Sequence, residues 1–161
     1  MVYCRLIVEL AVYEKEPDAV KITEETLRND GWGCKGTRYT SPRFYCFLAV
    51  EHLPGGAESV VGMAMFFPNY STWQGMCCYL EDLVVSEQYR GRGIGDALVH
   101  AVGNVCLITG MSRLNWQCLK WNEKALSFYS SLGAVTMPEW EDLRMTKDAM
   151  QRTFGGDAEE G

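Results

Sequence analysis

The chain has 161 residues, 47% of them hydrophobic and 22% charged, with a formal net charge of −6. Such a length and composition describe one ordinary globular domain that can bury a core without a disulfide or metal staple. The acidic balance speaks against a nucleic-acid or anionic-membrane surface and suits a cationic partner. No apolar run approaches the ~20 residues of a membrane span, and no charged-then-apolar leader is present.

Cys4, Cys34, Cys46, Cys77, Cys78, Cys106 and Cys118 form an odd set without CxxC spacing. Most lie in apolar runs, the pattern of buried free thiols in a reducing, cytoplasmic compartment. The two histidines, His52 and His100, have no ligand partner at metal spacing, so no metal is expected. No Ser-His-Asp or Cys-His pattern supports a hydrolase.

The elements follow in chain order. Leu6, Ile7, Leu10 and Ala11 make a helical stripe ending near Tyr13. Thr23 before Glu24 and Glu25 opens a short helix that Gly31 is expected to close. Residues 44–51 and 60–67 read as antiparallel strands joined at Pro54-Gly55-Gly56. A loop over 68–75 leads to a third strand over 76–85. Ile94, Ala97, Leu98, Ala101, Val102, Val105 and Cys106 then give the clearest amphipathic helix. Residues 111–118 read as a strand, and Asn122 caps a helix carrying Ala125, Phe128, Tyr129 and Leu132 on one face, stopped by Gly133. A last strand is expected over 143–145, with a disordered acidic tail over 155–161. Hairpins followed by a strand-helix-strand crossover predict an α/β domain, spanning 1–154, with helices packed on a mixed sheet.

Three segments carry chemistry. In Arg90-Gly91-Arg92-Gly93-Ile94-Gly95 the glycines let backbone N–H groups approach an anion at a helix N-terminus, and two arginines suit a pyrophosphate. Asp96 stands where a dinucleotide fingerprint needs glycine, and no Gly-Lys-Ser/Thr follows; the bland reading is a glycine-rich turn. Glu81-Asp82 places two carboxylates in a run otherwise fit for burial, where alternation sends them to opposite faces. They either hold a cation and remove a proton, or lie solvated at a strand end. In Trp121-Asn122-Glu123-Lys124-Ala125, continuing to Phe128-Tyr129, Asn122 is explained as an N-cap and Tyr129 by pattern alone as a core residue.

Together these segments resemble the GNAT acyl-CoA N-acyltransferases, in particular the diamine (spermidine/spermine) and thialysine acetyltransferase branch. Glu9 to Glu14, Asp30-Gly31-Trp32-Gly33, Phe44-Tyr45-Cys46 and Tyr79-Leu80-Glu81-Asp82 support the match, which runs from about residue 4 to about residue 150. The resemblance implies acetyl-CoA as cosubstrate, a small-molecule amine as acceptor and a homodimer. Leu83, Val84 and Val85 would serve the acetyl and pantetheine groups. Arg90, Gly91, Arg92, Gly93, Ile94, Gly95 and Asp96 would cradle the CoA pyrophosphate, with Asn122, Glu123, Lys124 and Ala125 lining the other side of the cofactor. Tyr129 falls at the family's general acid, and Glu81 at a carboxylate that binds and helps deprotonate the amine. Tyr13, Glu14, Asp82, Ser71, Thr72 and Glu139 match acceptor-site positions.

Ser71-Thr72 before Trp73 is the pair of the thialysine-type members, where the polyamine-preferring ones carry Asp-Pro. Relative to the family the chain is roughly a dozen residues short at the front, so the sheet is expected to lack its first strand or to replace it. Two other readings stand beside acetylation of a small amine: acetylation of a protein lysine or N-terminus, and a non-catalytic CoA-binding regulatory domain.

Overall fold

The computed structural model describes residues 2–32 and 41–155, the side chains of residues 2, 3 and 32 excepted. Cys34, Gly33 and residues 156–161 of the tail therefore lie outside the described residues. The chain divides into two compact units, Met1–Leu119 and Lys120–Gly161.

The first unit runs α1 (Val2–Tyr13), α2 (Glu24–Trp32), β1 (Tyr45–His52), β2 (Glu58–Ser71), β3 (Gly75–Val85), a short 3-10 turn (Glu87–Tyr89), α3 (Ile94–Ile108) and β4 (Leu114–Asn115). The strands lie in the order β1-β2-β3-β4. β1 and β3 each pair antiparallel with β2, and β4 joins β3 in parallel after the α3 crossover. The expected mixed sheet with helices packed on it is the observed fold, with β1 forming one edge.

Side-chain alternation along the strands distributes the two helices. Met63 and Val84 pack with Leu6 of α1, and Ile7, Leu10, Cys46 and Val60 close around them. Their chain neighbours Gly62 and Val85 point the other way, toward Leu98 of α3. α1 and α3 therefore cover opposite faces. Leu98, Val99, Val102 and Cys106 are the buried residues of α3, while Ala97, expected inside, is exposed. The N-terminal half of α1 is pinned to the strand ends by polar contacts. Ser86 donates to Glu9 Oε2 at 2.7 Å, and Arg5 pairs with Glu9 at 3.4 Å and donates to the Val60 carbonyl at 2.6 Å.

Further expectations are corrected. Gly31 does not close α2, which continues to Trp32. Its hydrogen faces the Phe44 ring, where a Cβ would lie 3.0 Å from Cζ, so close packing rather than helix termination explains the glycine. The loop expected over 68–75 is mostly strand, since β2 runs through Pro68 to Ser71. β1 begins opposite Phe66, so beyond that point β2 is locally an edge among the described residues, the place where a strand tolerates proline. β4 has only two residues instead of eight.

In the second unit, described by itself, α4 (Glu123–Ser131) begins at Asn122, whose Oδ1 accepts from the Ala125 N–H at 3.3 Å. Gly133, at φ 85°, follows its end as expected. No strand forms over 143–145. The chain there leads into α5 (Lys147–Phe154), capped by Thr146 Oγ1 on the Ala149 N–H at 3.2 Å. The cap, Asp148 in the first turn and Arg152 in the last are a helix signal that the short apolar run before them obscured.

At Gly62, a Cβ would meet the Val84 carbonyl at 3.0 Å and Leu98 Cδ1 and Val85 Cγ2 at 3.3 Å each. Gly62→Val is expected to push α3 off β2 and destabilise the fold by about 1–3 kcal/mol. Urea unfolding measures it, and an unchanged midpoint would mean that α3 has room to move.

Candidate active site

β3 carries the first half of the site. Its register against β2 runs Leu83 opposite Ala64 and Asp82 opposite Met65, then skips to Leu80 opposite Phe66. Glu81 is the extra residue, a bulge in the ladder. A bulge locally breaks alternation and re-aims side chains, so the expectation of two carboxylates on strictly opposite faces presumes a regularity that the strand lacks. Glu81 is exposed and Asp82 half-buried.

Asp82 shares a cross-strand row with Met65 and Cys46. That row lies on the α1 face, because Met63 and Val84 two positions along belong to the α1 core. Burial first, then the charges of Glu81 and of Glu14, push the Asp82 carboxyl from an ordinary 3.8 up to about 6. Burial also raises Glu14, the residue that follows α1. Burial and the nearby Asp82 charge push the Cys46 thiol up to about 11. Cys118 is raised by burial and by Glu14. Glu14, Glu81 and Asp82, three of the expected acceptor residues, thus form one electrostatic group, and Cys46 and Cys118 are neighbours that sequence reasoning missed. A concentration of negative charge against an apolar face favours a cation, which would relieve the mutual repulsion.

The other half is an open strand edge. β3 and β4 are paired only at Cys78–Leu114 and Tyr79–Asn115. Among the described residues, no strand pairs with Leu80 to Val85 on that side. The Ser86 N–H turns to Val61 of β2 at 2.9 Å. By backbone alternation, the polar groups of Val85 and Leu83 point away from β2, to the open side. Their N–H groups therefore face the side on which no described strand pairs, while Val84 is buried in the α1 core.

Beyond β3, Gly91 (φ 74°) and Gly93 (φ 77°) adopt left-handed conformations that only glycine enters freely. Among the described residues, no heavy atom beyond the glycine and its chain neighbours lies within 4 Å of where a Cβ would stand at either residue. The loop therefore presents bare backbone at the start of α3, where the first N–H groups of a helix lack intrahelical partners and favour an anion. Ile94 and Gly95 are half-buried, and Asp96 faces His100 at 3.6 Å. The arginines are engaged: Arg90 donates from Nε to the Val85 carbonyl at 2.9 Å and stacks over Tyr13 at 4.7 Å. Arg92 donates to the Gln88 carbonyl at 3.1 Å and lies 5.1 Å from the Tyr89 ring centre.

Ser71 and Thr72 sit at the tip of the β2–β3 hairpin. Ser71 Oγ accepts from the N–H groups of Trp73 (3.2 Å) and Gln74 (3.3 Å), so its oxygen serves the turn. In the second unit Tyr129 is half-buried on α4, its ring tilted against Phe128 at 5.2 Å. Glu123 and Lys124 are exposed in the first turn of α4, and Glu139 is exposed in the segment after it.

Residues 9–134 match the model of the acetyltransferase (GNAT) family. The chain belongs to the GNAT family. It is therefore an N-acetyltransferase. It is 41% identical over 157 residues to the thialysine N-epsilon-acetyltransferase of Bos taurus, covering 94% of this chain and 89% of that protein. With the human spermidine/spermine N(1)-acetyltransferase-like protein 1 it shares 31% over 152 residues, 91% of this chain but 21% of the longer relative. Among solved structures, an integron cassette protein from the mobile metagenome of V. cholerae superposes with a TM-score of 0.67 at 26% identity, covering 90% of this chain and 85% of that one. The resemblance to this GNAT branch is thereby established. Among the described residues no helix is long and apolar enough to cross a membrane.

The raised Asp82 carboxyl has a measurable consequence. The folded chain holds this proton more tightly than the unfolded chain, so the associated stability is present below about pH 4 and lost as pH rises through about 6. Asp82→Asn, which cannot ionise, is expected to be more stable than the parent at pH 8 by about 1–3 kcal/mol, with the gain fading toward pH 4. Urea melts at the two pH values check this, and a pH-independent difference would contradict it.

Proposed function

We propose that this GNAT enzyme acetylates a primary amine of a small cationic molecule, a thialysine-like amino acid before a polyamine, with acetyl-CoA as donor. The observation that carries the reading is the bulge at Glu81. It leaves Glu81 exposed and unpaired, next in sequence to Asp82, whose carboxyl feels the charges of both Glu81 and Glu14.

An alkylamine of pKa about 10.4 is protonated at pH 7, and exposing its lone pair costs about 4–5 kcal/mol. Asp82 and Glu14, with Tyr13 just before Glu14 in the chain, attract the ammonium. Glu81 then takes its proton, directly or through water, at the moment the nitrogen needs its lone pair. The N–H groups of Leu83 and Val85 hydrogen-bond the oxygen on which negative charge develops. The loop from Arg90 to Asp96 fits a pyrophosphate because its glycines leave the backbone bare at a helix N-terminus. The thioester supplies an activated acetyl group.

In the second unit the family resemblance assigns Asn122, Glu123, Lys124 and Ala125 to the donor and Tyr129 to the leaving sulfur. Full proton transfer from a phenol (pKa about 10) to a thiolate whose thiol has pKa about 8.5 is uphill by about 2 kcal/mol. A stabilising hydrogen bond from Tyr129 is thus as effective a role as formal protonation. Glu139 completes the acceptor residues in this reading. A homodimer in the cytoplasm is the form in which we expect the enzyme to act.

The acceptor preference rests on the hairpin tip. Asp-Pro and Ser-Thr both suit a turn at residues 71–72, since Asp caps a turn as Ser71 does. The difference left between them is one negative charge. A partly screened charge pair contributes about 1 kcal/mol or less, so the preference is expected to be about tenfold at most. Thiol release from acetyl-CoA with a panel of amines tests the function: kcat/KM is expected to be higher for thialysine than for spermidine. Ser71→Asp with Thr72→Pro should narrow or reverse the order. A preference for spermidine by about tenfold would refute the acceptor assignment, and turnover of a peptide amine alone would favour the protein-acetylating reading.

A further inference from the structure

Arg90 opens the glycine loop, yet its guanidinium is turned away from the loop toward two other elements. Nε–H donates to the carbonyl of Val85, the last residue of β3, at 2.9 Å. The same group lies over the ring of Tyr13, the last residue of α1, with Cζ 4.7 Å from the ring centre. Arg92 makes the same two kinds of contact, a carbonyl hydrogen bond and a tyrosine face, but with Gln88 and Tyr89, close to it in the chain. Arg90 instead ties together the start of the loop, the end of the splayed strand and the end of the helix from which Glu14 emerges.

A guanidinium held by one in-plane hydrogen bond and one ring face has its orientation fixed, because it is planar and rigid. Its partners are fixed in turn. Tyr13 is half-buried, and the next residue, Glu14, is one of the two carboxylates that bear on Asp82. A shift of Tyr13 would move Glu14 relative to Asp82 and change the negative group that receives the ammonium. The hydrogen bond also ties the Val85 carbonyl, on the open edge of β3, to the loop.

We propose that Arg90 is a positioning residue for the acceptor side, holding Tyr13 and with it Glu14, and that the donor's phosphates are served by the loop backbone. This rests on the reading of Tyr13 and Glu14 as acceptor residues. Arg90→Lys separates the two roles, since lysine keeps a positive charge for a phosphate but lacks the planar group and its Nε–H.

The experiment measures acceptor KM by thiol release and CoA affinity by calorimetry, on the full chain, for Arg90→Lys, Tyr13→Leu, their double variant and Glu14→Gln. Arg90→Lys is expected to raise acceptor KM by about fivefold or more while CoA affinity stays within about twofold. The double variant should show less than the product of the two single effects, because both changes remove the Arg90–Tyr13 contact. A loss of CoA affinity by about tenfold with acceptor KM unchanged would overturn the proposal, as would independent, multiplying effects of the two changes. If Glu14→Gln raises acceptor KM and Arg90→Lys does not, the proposal fails and the acceptor reading survives. If Glu14→Gln has no effect, the acceptor reading fails and takes the proposal with it.

Discussion

Between Asp82, opposite Met65, and Leu80, opposite Phe66, β3 holds one residue more than the strand it pairs with. The chemistry of the site depends on that surplus residue. On one side of it, β3 keeps β4 as a neighbour at Cys78 and Tyr79. On the other, β3 runs on to Val85 with no described strand on its outer edge, toward which the N–H groups of Leu83 and Val85 point. A regular ladder through Glu81 would keep the alternation of Leu80 unbroken into Asp82 and Val84. The bulge lets Val84 enter the α1 core while Asp82, two residues earlier on the same face, stays within reach of Glu14.

The electrostatics follow from where these carboxylates are held. Asp82 ionises reluctantly because it is partly buried and flanked by two other carboxylates. An approaching ammonium reverses both penalties, since it supplies the missing counter-charge and is itself desolvated beside a partner. The fold thus stores an unfavourable charge arrangement that a cationic acceptor relieves. At the loop the logic is opposite in sign: bare N–H groups at the head of α3 await an anion. An acidic chain with a locally positive helix end can bind a cationic amine and an anionic donor without the two sites competing.

Much of this was legible in the sequence, and the reasons are local. The glycine loop, the α3 stripe and the Asn122 cap are set by residues within a few positions of one another, and each formed where expected. What escaped depends on pairing. A bulge is a count of residues on one strand against another, and nothing within Tyr79-Leu80-Glu81-Asp82 reveals it. Residues 68–75 read as a loop because their sequence context does not show that, among the described residues, β1 starts only opposite Phe66 and leaves β2 an edge there. Gly31 read as a helix stop because its real partner, Phe44, is distant in the chain. The two arginines read alike as anion ligands, and only the tertiary contacts of Arg90 with Val85 and Tyr13 distinguish them.

The central claim is that Glu81, placed by the bulge, removes the proton from the acceptor amine. The pH dependence of kcat/KM for Glu81→Gln against the parent enzyme, followed by thiol release from acetyl-CoA, tests it most directly. If the carboxylate acts as base, the variant loses about 10²-fold or more at pH 7, and the deficit shrinks as rising pH supplies the free amine without help. A deficit of the same size at pH 7 and near the amine pKa, or no deficit at all, would contradict the account.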